Sequence, residues 1–249
     1  MSKHEIAPRA NERVRLFAHL RDPNVTFKQK MSHFWHYYRW YVIGTVVLLL
    51  IFGIFVHHTT SQVRSDAVVL YAGPAQLDHY QINELNRALS SVMSTGFRHY
   101  ESRVVRMTHF LLMSEQQMND MRAEYIAAGN EPPAFWGMSE RFHQFNHEMM
   151  TGQSVILLLD PHIFELQRGM RRLASLELIF GEGQVPDIAC CNYGIRLSDT
   201  EFAQNFRAFD VLPEDTILSI KAPVITMPRG FYNHQRQFFR DIVNFKRSD

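Results

Sequence analysis

The chain has 249 residues and a net charge of +1, but this small total hides an asymmetry. The first 39 residues carry eight Lys or Arg against three Asp or Glu, whereas the remainder carries 18 against 22. Residues 62–249 suffice for one domain with a real core, or for two small lobes that share a cleft. Because the basic charge lies beside an apolar segment, we expect it to contact anionic lipid and exclude nucleic acid as a partner.

Residues 1–39 form a predicted cytoplasmic juxtamembrane segment. After an irregular arm, Asn11–Arg21 has the pattern of a short amphipathic helix that lies on the inner leaflet. Asp22-Pro23-Asn24 ends that helix. Thr26 and Gln29 then form a capping box, which predicts that a second helix begins at Phe27 and continues into the membrane.

Trp40 to Val56 contains no charged residue and predicts a transmembrane helix at 40–58. Twelve of the fifteen residues from Val42 to Val56 are Val, Ile, Leu or Phe, and each favours insertion by roughly 0.3 to 0.6 kcal/mol. A buried core helix and a cleaved signal peptide are the alternatives. The first would need a polar face, and the second would need a small-residue cleavage site after the apolar run.

The charge asymmetry predicts the topology. Lys and Arg close to a span stay on the cytoplasmic side, so the N-terminus is expected inside and the following domain outside. The aromatic residues before the span are expected at the headgroup level of the bilayer: Trp35, Tyr37, Tyr38, Trp40 and Tyr41. We therefore expect a single-pass protein of the cell membrane, held by an uncleaved signal anchor.

A polar stalk is predicted at 59–65, followed by an extracytoplasmic domain at 66–249 that alternates strand and helix patterns. The first half has a strand at 67–71, a helix at 77–93, a strand at 103–112 and a helix opened by the capping box of Ser114 and Gln117. The clearest strand, Ser154–Leu159, runs directly into Asp160-Pro161, a helix N-cap followed by proline at the first helical position.

The remaining patterns predict further alternation. We expect helices capped by Ser139, by Ser198 with Glu201, and by Asn233, and strands at 185–191 and 217–221. Such alternation is typical of an α/β architecture with a mainly parallel sheet.

Two stretches resemble known families. Lys30 to Trp40, KMSHFWHYYRW, resembles the juxtamembrane signature of a group of uncharacterised bacterial single-pass membrane proteins. Met149 to Pro161, MMTGQSVILLLDP, is similar to the helix, Gly-Asp, strand step of extracellular solute-binding proteins, although Gln153 stands where many of them carry an acid. The resemblance implies a reduced periplasmic-binding-protein-like domain anchored by a span, and it carries over no functional residues.

Candidate ligand-binding residues follow two strands at their carboxyl ends, where α/β domains bind ligands. Tyr71 and Gly73 follow the first strand, and Asp160 and His162 follow the clearest one. Asp160 is also explained as a helix cap. No phosphate-binding loop or nucleophile motif is present, so we predict neither catalytic residues nor a cofactor.

Histidine and cysteine patterns leave two alternatives open. His143 and His147 are spaced i, i+4 on a predicted helix, but no H-E-x-x-H motif surrounds them, and we predict no metal site. Cys190 and Cys191 are expected as small packing residues on opposite faces of a strand. A strained disulfide between them is the alternative.

The sequence therefore predicts a membrane-anchored extracytoplasmic domain that binds a small solute or peptide without catalysis. The alternative is a structural or interaction subunit of a cell-envelope or transporter complex, whose partner is another membrane protein. An extracytoplasmic enzyme is a third possibility that no motif supports. A cleft with convergent polar groups would favour solute binding, whereas filled strand ends would favour the interaction subunit.

Overall fold

The computed structural model describes residues 27–60, 65–94, 104–132, 137–225 and 227–247. The chain divides into two units, residues 1–62 and residues 63–249. The predicted inner-leaflet helix and the capping box at Thr26 lie outside the described residues.

The first unit contains one long helix, α1, from Phe27 to Thr60. Within it, Tyr38–Phe55 is long and apolar enough to cross a membrane, with a mean hydropathy of 1.9, and none of that window is buried. The start at Phe27 agrees with the prediction. The helix continues to Thr60, two residues into the predicted stalk, and residues 61–64 lie outside the described part of the chain.

Polar and aromatic side chains at the start of this window interact along the helix. The Arg39 guanidinium lies 5.5 Å from the centroid of the Trp40 ring, a cation–π arrangement. Thr45 donates its hydroxyl hydrogen to the Tyr41 carbonyl at 2.8 Å, which satisfies the hydroxyl inside an apolar helix.

The second unit is an α/β domain built on one six-stranded sheet. In chain order its elements are β1 Ala67–Gly73, α2 His79–Val92, β2 Val105–Leu111, α3 Glu115–Ala127, α4 Met138–Thr151, β3 Ile156–Leu159, α5 Pro161–Gly169, α6 Leu176–Phe180, β4 Ala189–Cys191, β5 Gly194–Arg196, α7 Glu201–Asn205, β6 Ile217–Ile220 and α8 Arg229–Val243. Two 3-10 helices, Leu197–Asp199 and Arg207–Val211, flank α7.

The sheet has the order β2-β1-β3-β6-β5-β4 and is mixed. β1 pairs in parallel with β2 and with β3. β6 is antiparallel to β3 and to β5, and β4 is antiparallel to β5. Four strands therefore run in one direction and two, β4 and β6, in the other. The predicted α/β class is confirmed, and the sheet is mixed with most of its strands in one direction.

Both faces of the sheet are covered by apolar clusters. One cluster joins the sheet to α2, α6, α7 and α8, with Leu85, Phe202 and Phe239 fully buried. The other joins it to α4 and α5 through Phe145 and Phe164. Strands covered on both faces need continuous apolar sequence, as β3 with Ile156–Leu159 shows.

The edge strand β2 is partly protected by side chains of α2. Met107 donates its backbone N–H to Asn86 Oδ1 at 2.7 Å, and Val105 donates to Ser90 Oγ at 3.2 Å. Side chains that occupy edge donors in this way keep another strand from pairing there.

Several predicted helix starts are wrong. α4 begins at Met138 after Gly137, which has a left-handed φ of 79°, and not after Ser139. α7 is capped by Thr200, whose hydroxyl accepts the Ala203 N–H, while Ser198 lies in a 3-10 helix. α8 begins at Arg229 after Pro228, four residues before Asn233.

The predicted strand at 185–191 is shorter than expected, and one strand was missed. Only Ala189–Cys191 pairs, and it pairs with β5, Gly194–Arg196, which no pattern predicted. Three-residue strands are too short to show an alternation of apolar and polar residues. In the antiparallel half of the sheet, β6 and part of the β4 prediction are therefore correct, and β5 was missed.

Gly194 allows α5 to pack directly on β5, and this contact yields a stability prediction. A Cβ at Gly194 would lie 2.5 Å from Ile217 Cγ2 and 2.9 Å from the Phe164 ring. We expect Gly194→Ala to lower the unfolding free energy by about 1–3 kcal/mol through overpacking. The measurement is denaturant unfolding of the full chain in detergent micelles.

The matched control is Gly169→Ala, because a Cβ at Gly169 meets no atom within 4 Å. Gly169 ends α5, and alanine there is expected to be neutral or to stabilise by up to about 1 kcal/mol. Equal losses in the two variants would contradict the packing of α5 against Gly194.

Candidate functional site

The predicted site residues lie at the carboxyl ends of the parallel strands. Tyr71 and Gly73 belong to the end of β1, and Asp160 follows the neighbouring strand β3. The Asp160 backbone N–H continues the ladder by donating to the Ala72 carbonyl at 2.9 Å. The structure therefore brings Tyr71, Gly73 and Asp160 together, with His162 two residues further along in α5.

Asp160 is buried, with 4% of its surface exposed, and both of its carboxylate oxygens accept hydrogen bonds. Oδ1 accepts the backbone N–H of His162 at 2.9 Å, which caps α5. Oδ2 accepts the side-chain amide of Gln117 at 2.7 Å. A buried carboxylate needs such partners because burial otherwise penalises its charge.

Tyr71 is fully buried, and its hydroxyl is held by the loop that follows β1. The hydroxyl oxygen accepts the Ala75 backbone N–H at 3.0 Å. Burial raises the pKa of Tyr71 above its usual range; the Ala75 hydrogen bond opposes this, while the carboxylates of Asp160 and Asp215 add to it. Tyr71 is therefore a neutral hydroxyl at physiological pH.

Gly73 is required for the position of the Tyr71 ring. A Cβ at Gly73 would lie 2.6 Å from the Tyr71 hydroxyl oxygen and 2.9 Å from ring atom Cζ. Any side chain at this position would displace the ring. The role that the structure shows for Gly73 is thus to admit the tyrosine.

His162 and Asp215 carry the exposed polar groups of this region. The His162 backbone N–H bonds to Asp160. Asp215 directly precedes Thr216 and β6, whose first residue pairs with the last residue of β3. An imidazole and a carboxylate at one sheet edge can bind a hydrogen-bond donor or a cationic group from solvent.

Gln117 is the residue that the sequence analysis did not place here. Its local role was predicted, since its Oε1 accepts the Ser114 N–H in the capping box of α3. Its amide nitrogen binds Asp160, 43 positions along the chain. No local sequence pattern predicts a contact at that separation. The only signal is that the capping box uses the amide oxygen of Gln117 and leaves its NH2 group free to donate elsewhere.

A second group of polar side chains lies beyond the opposite, amino end of β3, and no motif predicted it. Lys221 follows β6, is 1% exposed and donates from Nζ to the Gly152 carbonyl at 2.9 Å. Glu148 accepts the N–H and hydroxyl of Ser154, the latter at 2.6 Å. Because Gly152 follows the last turn of α4, Lys221 caps that helix from inside the domain.

Burial lowers the pKa of Lys221 to about 8, and the carboxylate of Glu148 opposes this change. Tyr232 donates its hydroxyl hydrogen to the Lys221 carbonyl at 3.0 Å. Burial raises the pKa of Tyr232 to about 12, so this tyrosine stays neutral while Lys221 titrates.

Metal binding has no support in the part of the chain that the structure describes. No group of three or more His, Cys, Asp or Glu side chains is placed there to hold a metal ion. His143 and His147 lie on α4 as expected from their spacing, and both are exposed.

Comparisons with protein-family models, with curated proteins and with solved structures found no match to the chain.

The buried lysine gives a pH prediction. The folded pKa of about 8 lies below the unfolded value of about 10.4. Between these values the unfolded chain binds more protons, so the contribution of Lys221 to stability rises with pH and is lost as pH falls through about 8. Between about pH 7.5 and pH 10, the unfolding free energy of the unmodified chain should therefore gain on the order of 2 kcal/mol from Lys221, and Lys221→Met should remove this gain.

The measurement is denaturant unfolding of both proteins across this pH range, with Lys246→Met as the control. Lys246 is an exposed lysine near the C-terminus, and its replacement should leave the pH profile unchanged. Parallel profiles for the Lys221 variant and the unmodified chain would show that Lys221 is not desolvated in the folded state.

Proposed function

We propose that the chain is a single-pass membrane protein with an extracytoplasmic α/β domain that acts as a non-catalytic interaction subunit of an envelope complex. Its partner is another protein of the same membrane. The observation that carries this proposal is the closure of the strand ends by the chain's own side chains. Tyr71 and Asp160 already use their hydrogen-bonding atoms on Ala75, His162 and Gln117.

Membrane attachment is supported by the apolar window Tyr38–Phe55 and by its exposed side chains, such as Leu48 at 66% and Ile54 at 68%. Side chains of this kind are unfavourable in water and favourable in a bilayer. The excess of Lys and Arg before the window supports a cytoplasmic N-terminus.

The surface of α3 supports protein contact. This thirteen-residue helix has no buried residue. Near its end, Tyr125 is 41% and Ile126 is 60% exposed. Its start is held to the sheet edge by the bond from Gln117 to Asp160. Exposed apolar side chains on a helix that buries no residue in the core are a feature of interaction surfaces.

Solute or peptide binding at the sheet edge is the second candidate, and the exposed side chains of His162 and Asp215 favour it. Their chemistry suits a ligand with a primary amino group. The periplasmic-binding-protein-like architecture belongs to this candidate. It would correspond to a single lobe, because the described residues after residue 62 form one sheet in one unit.

The two candidates are separated by experiments on the full chain in its native membrane and in detergent micelles. A photo-crosslinking amino acid at Ile126 should give one discrete product with a membrane protein. The same group at Tyr80, which is 72% exposed on α2, is the matched control and should give none. A phosphatase fused after Asp249 should be active only outside the cytoplasm.

Solute binding predicts a different set of results. Amino acids, amines and short peptides would raise the melting temperature by a few degrees at a hundredfold excess over Kd. His162→Ala and Asp215→Ala would abolish that shift. This outcome, together with no crosslink at Ile126, would contradict the interaction-subunit proposal.

A further inference from the structure

The two cysteines of the chain are adjacent in β4, the last strand of the sheet. In a regular strand, neighbouring side chains point to opposite faces. The pairing of β4 with β5 is shifted between Ala189 and Cys191, so Cys190 is an extra residue opposite no partner. Bulges of this kind turn a side chain away from the regular alternation.

The bulge breaks the regular alternation on which the expected placement of the two thiols on opposite faces rests. Both residues stand beside Gly194 of β5, with which Cys191 pairs. Cys190 also donates from Sγ to the Gly194 carbonyl on β5 at 3.2 Å. Both cysteines are free, Cys190 is exposed, and Cys191 is partly buried against the α4 and α5 side of the sheet.

The protonation state of the pair follows from its surroundings. Burial raises the pKa of the Cys190 thiol, Cys191 adds to the increase, and Arg196 opposes it. The Cys190 thiol is therefore mainly neutral near neutral pH. Strongly perturbed thiolates, which drive rapid disulfide exchange, have pKa values well below that of a free cysteine.

The geometry favours a ligand that accepts two thiols and nothing else from the protein. A zinc site needs four ligands, and the described residues hold no group of three potential metal ligands. A direct disulfide between adjacent residues closes a strained eight-membered ring. A single atom that bridges the two sulfurs gives a larger ring and needs no further protein ligand.

We propose that Cys190 and Cys191 form a vicinal dithiol site for trivalent arsenic compounds. In the reaction with an arsenic oxide R–As=O, the arsenic–oxygen bond breaks and two arsenic–sulfur bonds form. The two thiol protons leave with the oxygen as one molecule of water. Arsenic stays trivalent and sulfur is not oxidised, so the step requires neither oxidant nor reductant.

The test uses the reduced full chain in detergent micelles with phenylarsine oxide as the probe. Mass spectrometry should find one phenylarsenic group per chain, with the loss of one water. Excess 2-mercaptoethanol should leave it in place, and 2,3-dimercaptopropanol should remove it. Cys190→Ser and Cys191→Ser should each weaken binding by about a hundredfold, since a one-sulfur adduct lacks the second attachment.

A second measurement needs no variant and covers the case in which a substitution unfolds the strand. Bound phenylarsine oxide should protect both cysteines of the unmodified chain from N-ethylmaleimide, and the dithiol should restore both together. Removal of the probe by 2-mercaptoethanol, or protection of only one cysteine, would overturn the proposal.

Discussion

The domain depends on a buried carboxylate at the point where a strand becomes a helix. Asp160 leaves β3 with its N–H bonded to β1, caps α5 with one oxygen and holds α3 with the other. Its charge also contributes to the raised pKa of Tyr71. An unpaired buried carboxylate costs several kcal/mol of stability. The loss of one partner of Asp160 therefore also weakens the contacts that Asp160 makes with the other elements. This single residue therefore links β1, β3, α3 and α5.

The same contacts are the basis of our proposal that the domain binds a protein and does not capture a solute. At the carboxyl edge of an open α/β sheet, ligands usually meet free polar groups. Here the buried polar atoms of Tyr71 and Asp160 form hydrogen bonds within the chain. The Tyr71 ring fills the space that a side chain at position 73 would need. A solute would have to displace these bonds or use only the exposed His162 and Asp215. A protein partner can instead contact α3, which the core leaves exposed.

The part of the fold that was predicted correctly consists of local signals that tertiary contacts reinforce. The strand before Asp160-Pro161 and the capping box of Ser114 and Gln117 both appear in the structure. The errors arise where local preference loses to tertiary packing. Asn233 has a good capping side chain, yet α8 begins four residues earlier because Pro228 can stand before a helix and the apolar stripe extends back to Tyr232. The short strands β4 and β5 show no alternation of apolar and polar residues from which a strand could be predicted.

For the candidate site, the positions of Tyr71, Gly73 and Asp160 followed from the rule for strand ends, but their partners did not. The bond from Gln117 to Asp160 and the bond from Lys221 to Gly152 join residues far apart in sequence. The arrangement of the two cysteines depends on a bulge that one unpaired residue creates. Such features are properties of the folded chain and have no local sequence signal.

The most direct test of the account is the effect of Gln117→Glu on the unfolding free energy of the full chain. Glutamate keeps the capping acceptor for Ser114 but replaces the amide that binds Asp160 with a second carboxylate. We predict a loss of about 1–3 kcal/mol, cancelled when Asp160→Asn is added. Gln116→Glu, an exposed change in the same helical turn, should be neutral or slightly stabilising. If Gln117→Glu behaves like Gln116→Glu, Asp160 does not hold α3, and the closed sheet edge is contradicted.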